Sequence, residues 1–392
     1  MDLAARFGRH VLNQIEFGIT KEWLETNGLG SYAMGTIVGV NTRRYHSLFT
    51  VSAGQASGRM VMVNRMEESV LINGRRIECS CQEYPGTISP QGHLYLESFS
   101  YEPFPRWVYS IEDLKIQKTF FMRSGEETSV VIYRHLSGPP AKLILRPFLS
   151  CRQEHKLIRE DGRFKGAVRI EAERILCSPQ GAPAFTLTAV SRPVPVREAV
   201  KIYEDSFWYK NLVYAQEEER ELDFQEDLFV PCQIIADLAA EQEIGVVFST
   251  QAPQSIELDR WAEQEVFMRG RIFEKISVQG PFSKRCVAAA DQFIVRTNGS
   301  TRILRGYPWH ETATRESLMS LTGLCLATGR LEEARDILNS ASKQIVQGLL
   351  PQTFDPVDPS SALYNGMDTP CGSFGRSRNI GNRPGIRVFS KK

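Results

Sequence analysis

At 392 residues the chain has room for two or three domains, and its hydrophobic content of 42% with 24% charged residues is that of a globular protein with real cores. Forty-seven Lys and Arg against 46 Asp and Glu leave a net charge of +1, which gives nucleic acid or an anionic membrane no electrostatic purchase and suits a neutral, polar partner such as a carbohydrate. The opening MDLAARFGRH does not read as a secretory signal, and no run of eighteen apolar residues spans a membrane.

From about residue 15 to 255 short alternating segments predominate: Thr36–Val40, Met60–Val63, Val108–Tyr109, Leu114–Phe121, Ser129–His135 and Lys142–Pro147. Gly, Pro, Asn and Asp punctuate them, and regular short strands between turn signals argue for an antiparallel sandwich. Leu71 to Ile77 is the clearest hairpin, because Asn73-Gly74 tolerates the positive φ angles of a tight two-residue turn.

Near residue 258 the period changes. Leu258 to Ile272 has helical spacing and reads as a connector within a linker at 258–283. Helices are predicted at Arg285–Val295, Thr314–Thr328 and Leu331–Val346, the last with Leu331, Ala334, Leu338, Ala341 and Ile345 on one face between Gly329 and Gly348. The expected organisation is a β domain over 1–257, the linker, an α domain over 284–370 and a tail over 371–392.

The eight cysteines are thinly spread, and Cys79-x-Cys81 lacks a second pair, so the expectation is buried or free thiols in a reducing cytoplasm and no metal.

Three segments could carry chemistry. In Glu22 to Leu48 the glycines Gly28, Gly30, Gly35 and Gly39 fit a turn-rich strand pair, and no Lys-Ser/Thr follows to make a phosphate loop. Arg43, Arg44, Tyr45 and His46 form a candidate hydrogen-bonding edge in that segment. In Ile303 to Leu321, Tyr307, Trp309, His310, Glu311, Arg315 and Glu316 cluster at a helix start with Thr314 as its N-cap. Aromatic rings pack against the apolar face of a sugar and charged groups fork hydrogen bonds to paired hydroxyls; Glu316 equally suits a plain helix entrance as a first-turn acid. The third segment, Tyr364-Asn365-Gly366-Met367-Asp368-Thr369-Pro370, is a turn-forming loop on residue type alone.

In order and content, these segments resemble the archaeal/bacterial-type glycogen-debranching (amylo-α-1,6-glucosidase) family. Glu22–Leu48 resembles its N-terminal signature, and Phe207–Leu212 with Leu222–Phe229 resembles a block near the end of its β domain. Ala289–Arg296, Gly306–Trp309 and Leu321–Leu338 resemble the opening of its catalytic domain. The resemblance implies a supersandwich-like antiparallel β-sandwich followed by an (α/α)6 toroid. It implies inverting hydrolysis by two carboxylic residues held apart to admit a water, with glycogen or a branched α-glucan as partner and no cofactor. It also implies substrate contacts at Trp309, Arg315, Glu316, Tyr364, Asn365 and Asp368.

Two departures stand out. The family's Trp-Gly-Arg-Asp element aligns with Ala313-Thr314-Arg315-Glu316, which keeps the arginine–acid order, loses the aromatic and lengthens the acid by one methylene. After Pro370 comes CGSFGRSRNIGNRPGIRVFSKK, with no acid and no helical period, where the family continues into an apolar helix. About 110 residues from Lys284 onward hold some four to six helices, roughly half of what a toroid needs. The expectation is therefore an incomplete toroid with a frameshifted or truncated end, its general acid and base beyond this chain, and an inactive or weakly active form. The alternative is a non-catalytic glucan-binding module or one half of a split enzyme.

Overall fold

The computed structural model describes residues 5–53, 58–274, 280–297, 299–352 and 362–364, with only the backbone of Ala5 and Glu311. These residues fall into two compact units: Ala4–Asn27 with Ser31–Gln264, and Gly28–Gly30 with the residues from Glu265 onward.

The first unit is a sandwich of two large antiparallel sheets. One has nine strands, ordered Ala5–Gly8, Leu96–Tyr101, Pro105–Ile111, Leu114–Met122, Thr128–Ser137, Glu243–Ser249, Phe185–Arg192, Arg174–Cys177 and Val168–Glu171. The other runs Val200–Val213, Gln225–Leu238, Ala141–Gln153, Arg59–Ile72, Ser47–Ser52, Tyr32–Thr36 and Glu22–Thr26, with Arg75–Glu78 paired to Arg59–Ile72. Alternation supplies each inner face. In Ala141–Gln153, Leu143 and Leu145 turn inward while Lys142 meets solvent.

Aromatic rings bridge the sheets. Trp23 stands edge-on to Trp107 with centroids 5.5 Å apart and lies 5.2 Å from Phe120, while Phe49 stacks on Phe248 at 6.3 Å. Burying each such ring stabilises the sandwich by about 2–3 kcal/mol, which makes this core the main source of its stability. The predicted hairpin is present: Ile72 pairs with Arg75, and the two turn residues between them have φ of 50° at Asn73 and 75° at Gly74.

One predicted strand is not formed as read. Thr36–Val40 is strand only at Thr36; the chain then turns, with Ile37, Val38 and Val40 buried and the Thr36 hydroxyl donating to Val40 O at 2.7 Å. The apolar pattern there reports burial of a loop, not extension.

Leu258–Arg271 is a helix whose first turns lie on the outer face of the nine-stranded sheet. Leu258 and Trp261 pack against Phe104, Phe121 and Val247. Gly245 admits this contact, since a Cβ there would stand 2.6 Å from Leu258 Cδ1.

The second unit contains the helices Pro281–Gln292, Thr314–Leu321 and Leu331–Ser342 and a small antiparallel sheet of Ile294–Thr297, Ser300–Gly306 and His310–Thr312. Ile294, Ile303, Leu318, Leu321, Ile337 and Leu338 form its core. Three readings of this half need correction. The first helix stops at Gln292, because β-branched Ile294 and Val295 pair with Ile303 and Arg302 instead. The second helix gives way after Leu321 to a π-helical turn over Thr322–Leu326. The third ends at Ser342, leaving Ile345 exposed beyond it and not on the packed face. The order is nevertheless the expected one, an antiparallel β-sandwich followed by helices.

Candidate functional site

The candidate residues lie in both units, and each group has its own geometry. In the sandwich, Arg43, Arg44 and His46 are engaged within the protein. His46 is fully buried; its Nδ1 accepts the Thr42 N–H at 3.1 Å, which leaves Nε2–H to donate to Glu22 Oε1 at 3.0 Å. Burial holds its pKa below the ordinary histidine value against the pull of Glu22, so the imidazole is neutral at neutral pH. Arg43 Nε donates to the same Glu22 oxygen at 2.7 Å. Burial works against ionisation of Glu22, yet the bonds from His46 and Arg43 outweigh it and hold that carboxyl below its ordinary range.

Arg44 is buried and ties three separate segments together. Its Nη1 donates to His155 O at 2.7 Å, its Nη2 to Asp223 O at 2.8 Å, and its Nε faces Glu217 Oε2 at 3.2 Å. Tyr45 directs its hydroxyl to His155 Nδ1 at 3.1 Å, and burial raises its pKa.

Beneath these residues runs a buried ionic network that the sequence reading missed. Arg152 grips Glu226 with two nitrogens, the Nη2–Oε2 pair at 2.9 Å, and donates to Arg44 O at 2.7 Å. Tyr214 also donates to Glu226 and receives Asn64 Nδ2 at 2.9 Å. Nearby, Arg59 Nε donates to Glu154 Oε2 at 2.8 Å. The available signal was charge inside apolar strands, as in Gln225-Glu226-Asp227-Leu228-Phe229. A carboxylate predicted to be buried requires a cation beside it.

Glu127 was also missed. Its Oε1 accepts from Ser31 Oγ at 2.8 Å and its Oε2 from Asn27 Nδ2 at 3.2 Å. Burial raises its pKa to about 7 despite both hydrogen bonds.

In the second unit, Tyr307, Pro308 and Trp309 form the tip of the hairpin that pairs Gly306 with His310 and Leu304 with Thr312. Trp309 is 36% exposed, whereas Tyr307 is buried with its ring 6.1 Å from Phe293. His310 Nδ1 lies 3.2 Å from Arg305 Nη2. The helix begins at Thr314, and its N-cap is Ala313 with no side-chain cap, one residue earlier than predicted. Arg315 and Glu316, both part-exposed, follow in the first turn with Nη1 and Oε1 3.8 Å apart. Glu316 Oε2 is sheltered from solvent without a hydrogen-bond partner among the described residues. Tyr364 donates its hydroxyl to Gln344 O at 3.0 Å. Asn365 and Asp368 lie outside the described residues.

Seven described cysteines are free, six of them buried, and burial pushes the Cys81 and Cys177 thiols up to about 12. Such thiols are inert packing groups. Among the described residues no cluster of metal ligands forms, and no helix is long and apolar enough to cross a membrane.

The architecture is that of a two-part chain: a sandwich whose polar motif is folded inward, and a helical unit presenting an aromatic and an arginine–acid pair. The sequence of the glycogen debranching enzyme N-terminal region matches residues 21–245, more than half the chain, and that of amylo-alpha-1,6-glucosidase matches residues 288–371. The chain belongs to the glycogen debranching enzyme family.

No curated protein matches it in sequence. Among solved structures, a bacterial glucoamylase complexed with acarbose is 8% identical with a TM-score of 0.48, covering 91% of this chain and 55% of the glucoamylase. A putative kojibiose phosphorylase from the human microbiome is 10% identical with a TM-score of 0.44, over 93% of this chain and 49% of that one. A family GH92 alpha-mannosidase from Bacteroides thetaiotaomicron is 10% identical with a TM-score of 0.35, over 74% and 42% of the two chains. The chain thus spans about half the length of the first two.

Proposed function

We propose that this chain works in the hydrolysis of α-1,6-glucosidic branch points in glycogen or a related cytoplasmic α-glucan, as the glucan-holding part of an amylo-α-1,6-glucosidase. The observation that carries the reading is the pairing of part-exposed Trp309 at a hairpin tip with Arg315 and Glu316 in the helix turn just after it. An exposed indole packs on the C–H face of a glucose ring, and an arginine with a carboxylate forks hydrogen bonds to adjacent hydroxyls. The Glu316 oxygen without a partner among the described residues is an acceptor that a sugar hydroxyl would satisfy.

Tyr364, Asn365 and Asp368 complete the proposed binding set, and the domain limits are proposed at 257, 283 and 370. The general acid and base of the inverting reaction are not assigned to residues of this chain. We read the chain as an inactive or weakly active form, because Glu316 sets its carboxylate one methylene farther out than the family's aspartate and no aromatic stands at Ala313.

Retention of the purified chain in glycogen-containing native gels tests the binding, with glucose release from a limit dextrin measured in parallel. The expectation is retention weakened about tenfold by Trp309→Ala, with little glucose released. A chain that glycogen does not retard is not a glucan binder.

A second reading, that a separate polypeptide supplies further helices, is favoured by the exposed apolar side chains Phe267, Phe282 and Val346 in the helical unit. Restored glucose release on adding such a half would support it.

A further inference from the structure

The inward-folded polar motif of the sandwich holds open a surface groove. Arg44 Nη1 donates to His155 O at 2.7 Å and its Nη2 to Asp223 O at 2.8 Å, so one buried guanidinium ties the stretch after His155 to the stretch around Asp223. The Asp227 N–H donates to Ile158 O at 3.0 Å and the Ile158 N–H to Glu226 Oε1 at 3.2 Å, which joins the same two stretches again. Residues 157–159 and 221–225 thereby stand as the fixed walls of an open groove of about 440 Å³.

The walls mix two kinds of surface. Leu157, Leu222 and Phe224 supply apolar area, and Leu222 is 47% exposed. Arg159, Asp223 and Gln225 add a guanidinium, a carboxylate and an amide. Arg159 is held in place: its Nη1 donates to Asn211 Oδ1 at 3.1 Å and to Asp227 Oδ1 at 3.3 Å, and its Nη2 to Gln225 Oε1 at 3.1 Å. Those bonds engage three of its five N–H groups among the described residues, and its side chain is 52% exposed. Asp223 gives its carbonyl to Arg44 and is otherwise exposed.

Size and charge narrow the guest. A groove of this volume is in the range of small-molecule sites. The walls carry the carboxylates of Glu221 and Asp223 against one guanidinium, which is already paired with Asp227, so a phosphate or sulfate ester is repelled and a neutral molecule is not. An added peptide strand is also disfavoured, because Ile158 N–H, Ile158 O, Asp223 O and Phe224 O are all bonded within the protein. Apolar side chains beside a forked cation, a carboxylate and an amide suit a neutral sugar, whose C–H face needs the first and whose hydroxyls need the others.

We propose that this groove is a second glucan-holding site, on the sandwich itself, seating one or two neutral glucose units through Arg159, Asp223 and Gln225. The inference rests on the reading of this chain as a glucan holder and adds to it a site that does not use Trp309. Arg44, from the segment first nominated as a hydrogen-bonding edge, then serves the site without touching the sugar: it fixes the backbone of both walls.

Isothermal titration of the full chain with maltoheptaose, on the parent and on Trp309→Ala, tests this. The expected result is saturable binding that survives Trp309→Ala and that Asp223→Ala and Arg159→Gln each weaken about fivefold to tenfold in that background. Loss of all binding in Trp309→Ala overturns the groove and leaves the Trp309 reading standing. Binding that Trp309→Ala leaves intact and the groove variants abolish supports the groove and removes Trp309 from the glucan contacts. Affinity unaltered in both Asp223→Ala and Arg159→Gln overturns the groove, and a parent chain that binds no maltoheptaose overturns both readings. Circular dichroism of each variant verifies its fold; if Arg159→Gln unfolds, Asp223→Ala alone decides.

Discussion

The ionic network inside the sandwich and the Arg315–Glu316 pair of the helical unit stand in opposite surroundings. In the sandwich, Arg44, Arg152, Glu226, Arg59 and Glu154 are all buried, and each is met by a partner of opposite charge or a backbone carbonyl. In the helical unit, Arg315 and Glu316 stand 3.8 Å apart and part-exposed, with one Glu316 carboxylate oxygen that has no hydrogen-bond partner among the described residues. The same residue types therefore do different things. Burial turns a motif into architecture, because an ion removed from water must be fully paired. Partial exposure leaves a motif with bonding capacity for a ligand. Charged residues in the signature segment of a family are thus no guide to its chemistry until their exposure is known.

Removing the Glu226 side chain is the harshest test of this contrast. Glu226→Ala leaves the Arg152 guanidinium buried without its main counter-ion and frees the Tyr214 hydroxyl, and should destabilise the sandwich by about 3–5 kcal/mol. Glu316→Ala removes an acid of the same type from a part-exposed place and should change stability by less than about 1 kcal/mol. Urea denaturation of the two variants compares them directly. Equal losses would erase the distinction between the units.

How much of this was legible follows from distance along the chain. The Asn73-Gly74 hairpin and the buried face Ala334, Leu338, Ala341 were readable because each depends on residues within one or two turns. Ile294 and Val295 were read as helix because what makes them strand is pairing with Ile303 and Arg302, a tertiary fact. The Arg152–Glu226 pair joins residues 74 apart and the Arg44–Glu217 contact residues 173 apart, and no local pattern encodes either. Trp309, Arg315 and Glu316 could be nominated because one short segment carries them all. Their separation from the buried Thr314 and Ser317 by helical phase became visible only in the fold.

Glu127 sharpens the comparison, since it is a part-buried sandwich acid with hydroxyl and amide partners. Burial raises its pKa from 4.5 to about 7, so its neutral form is the one that favours the fold. For an acid raised in this way, the stabilising contribution is complete below the unfolded value near 4.5 and is lost as pH rises through 7. Stability of the sandwich should therefore fall by on the order of 2–3 kcal/mol across that window, superimposed on the titration of the other carboxyls. Glu127→Gln should remove this component and flatten the curve. Thermal melts at intervals from pH 4.5 to 7.5 measure it; an unaltered slope in Glu127→Gln would mean that the Asn27–Ser31 turn does not feel this carboxyl's charge.

The smallest expected effect bears most closely on function. Under the proposed alignment Glu316 stands where the family carries a shorter acid, on the first turn of Thr314–Leu321. Glu316→Asp restores the shorter reach and keeps the charge, while Glu316→Gln keeps the reach and removes the charge. If the carboxylate grips a sugar hydroxyl, Glu316→Gln should weaken glycogen retention about threefold to tenfold, because a charge-assisted hydrogen bond is replaced by a neutral one. Glu316→Asp should then strengthen retention if the family's geometry is the better one, and weaken it less than Glu316→Gln if the neighbouring Arg315 has adjusted to the longer acid. Both substitutions lie on a part-exposed surface, so their melting temperatures should match the parent chain within a degree or two. Retention that responds to neither substitution would place Glu316 with the ordinary acids of a helix start, where its charge serves the dipole and nothing else.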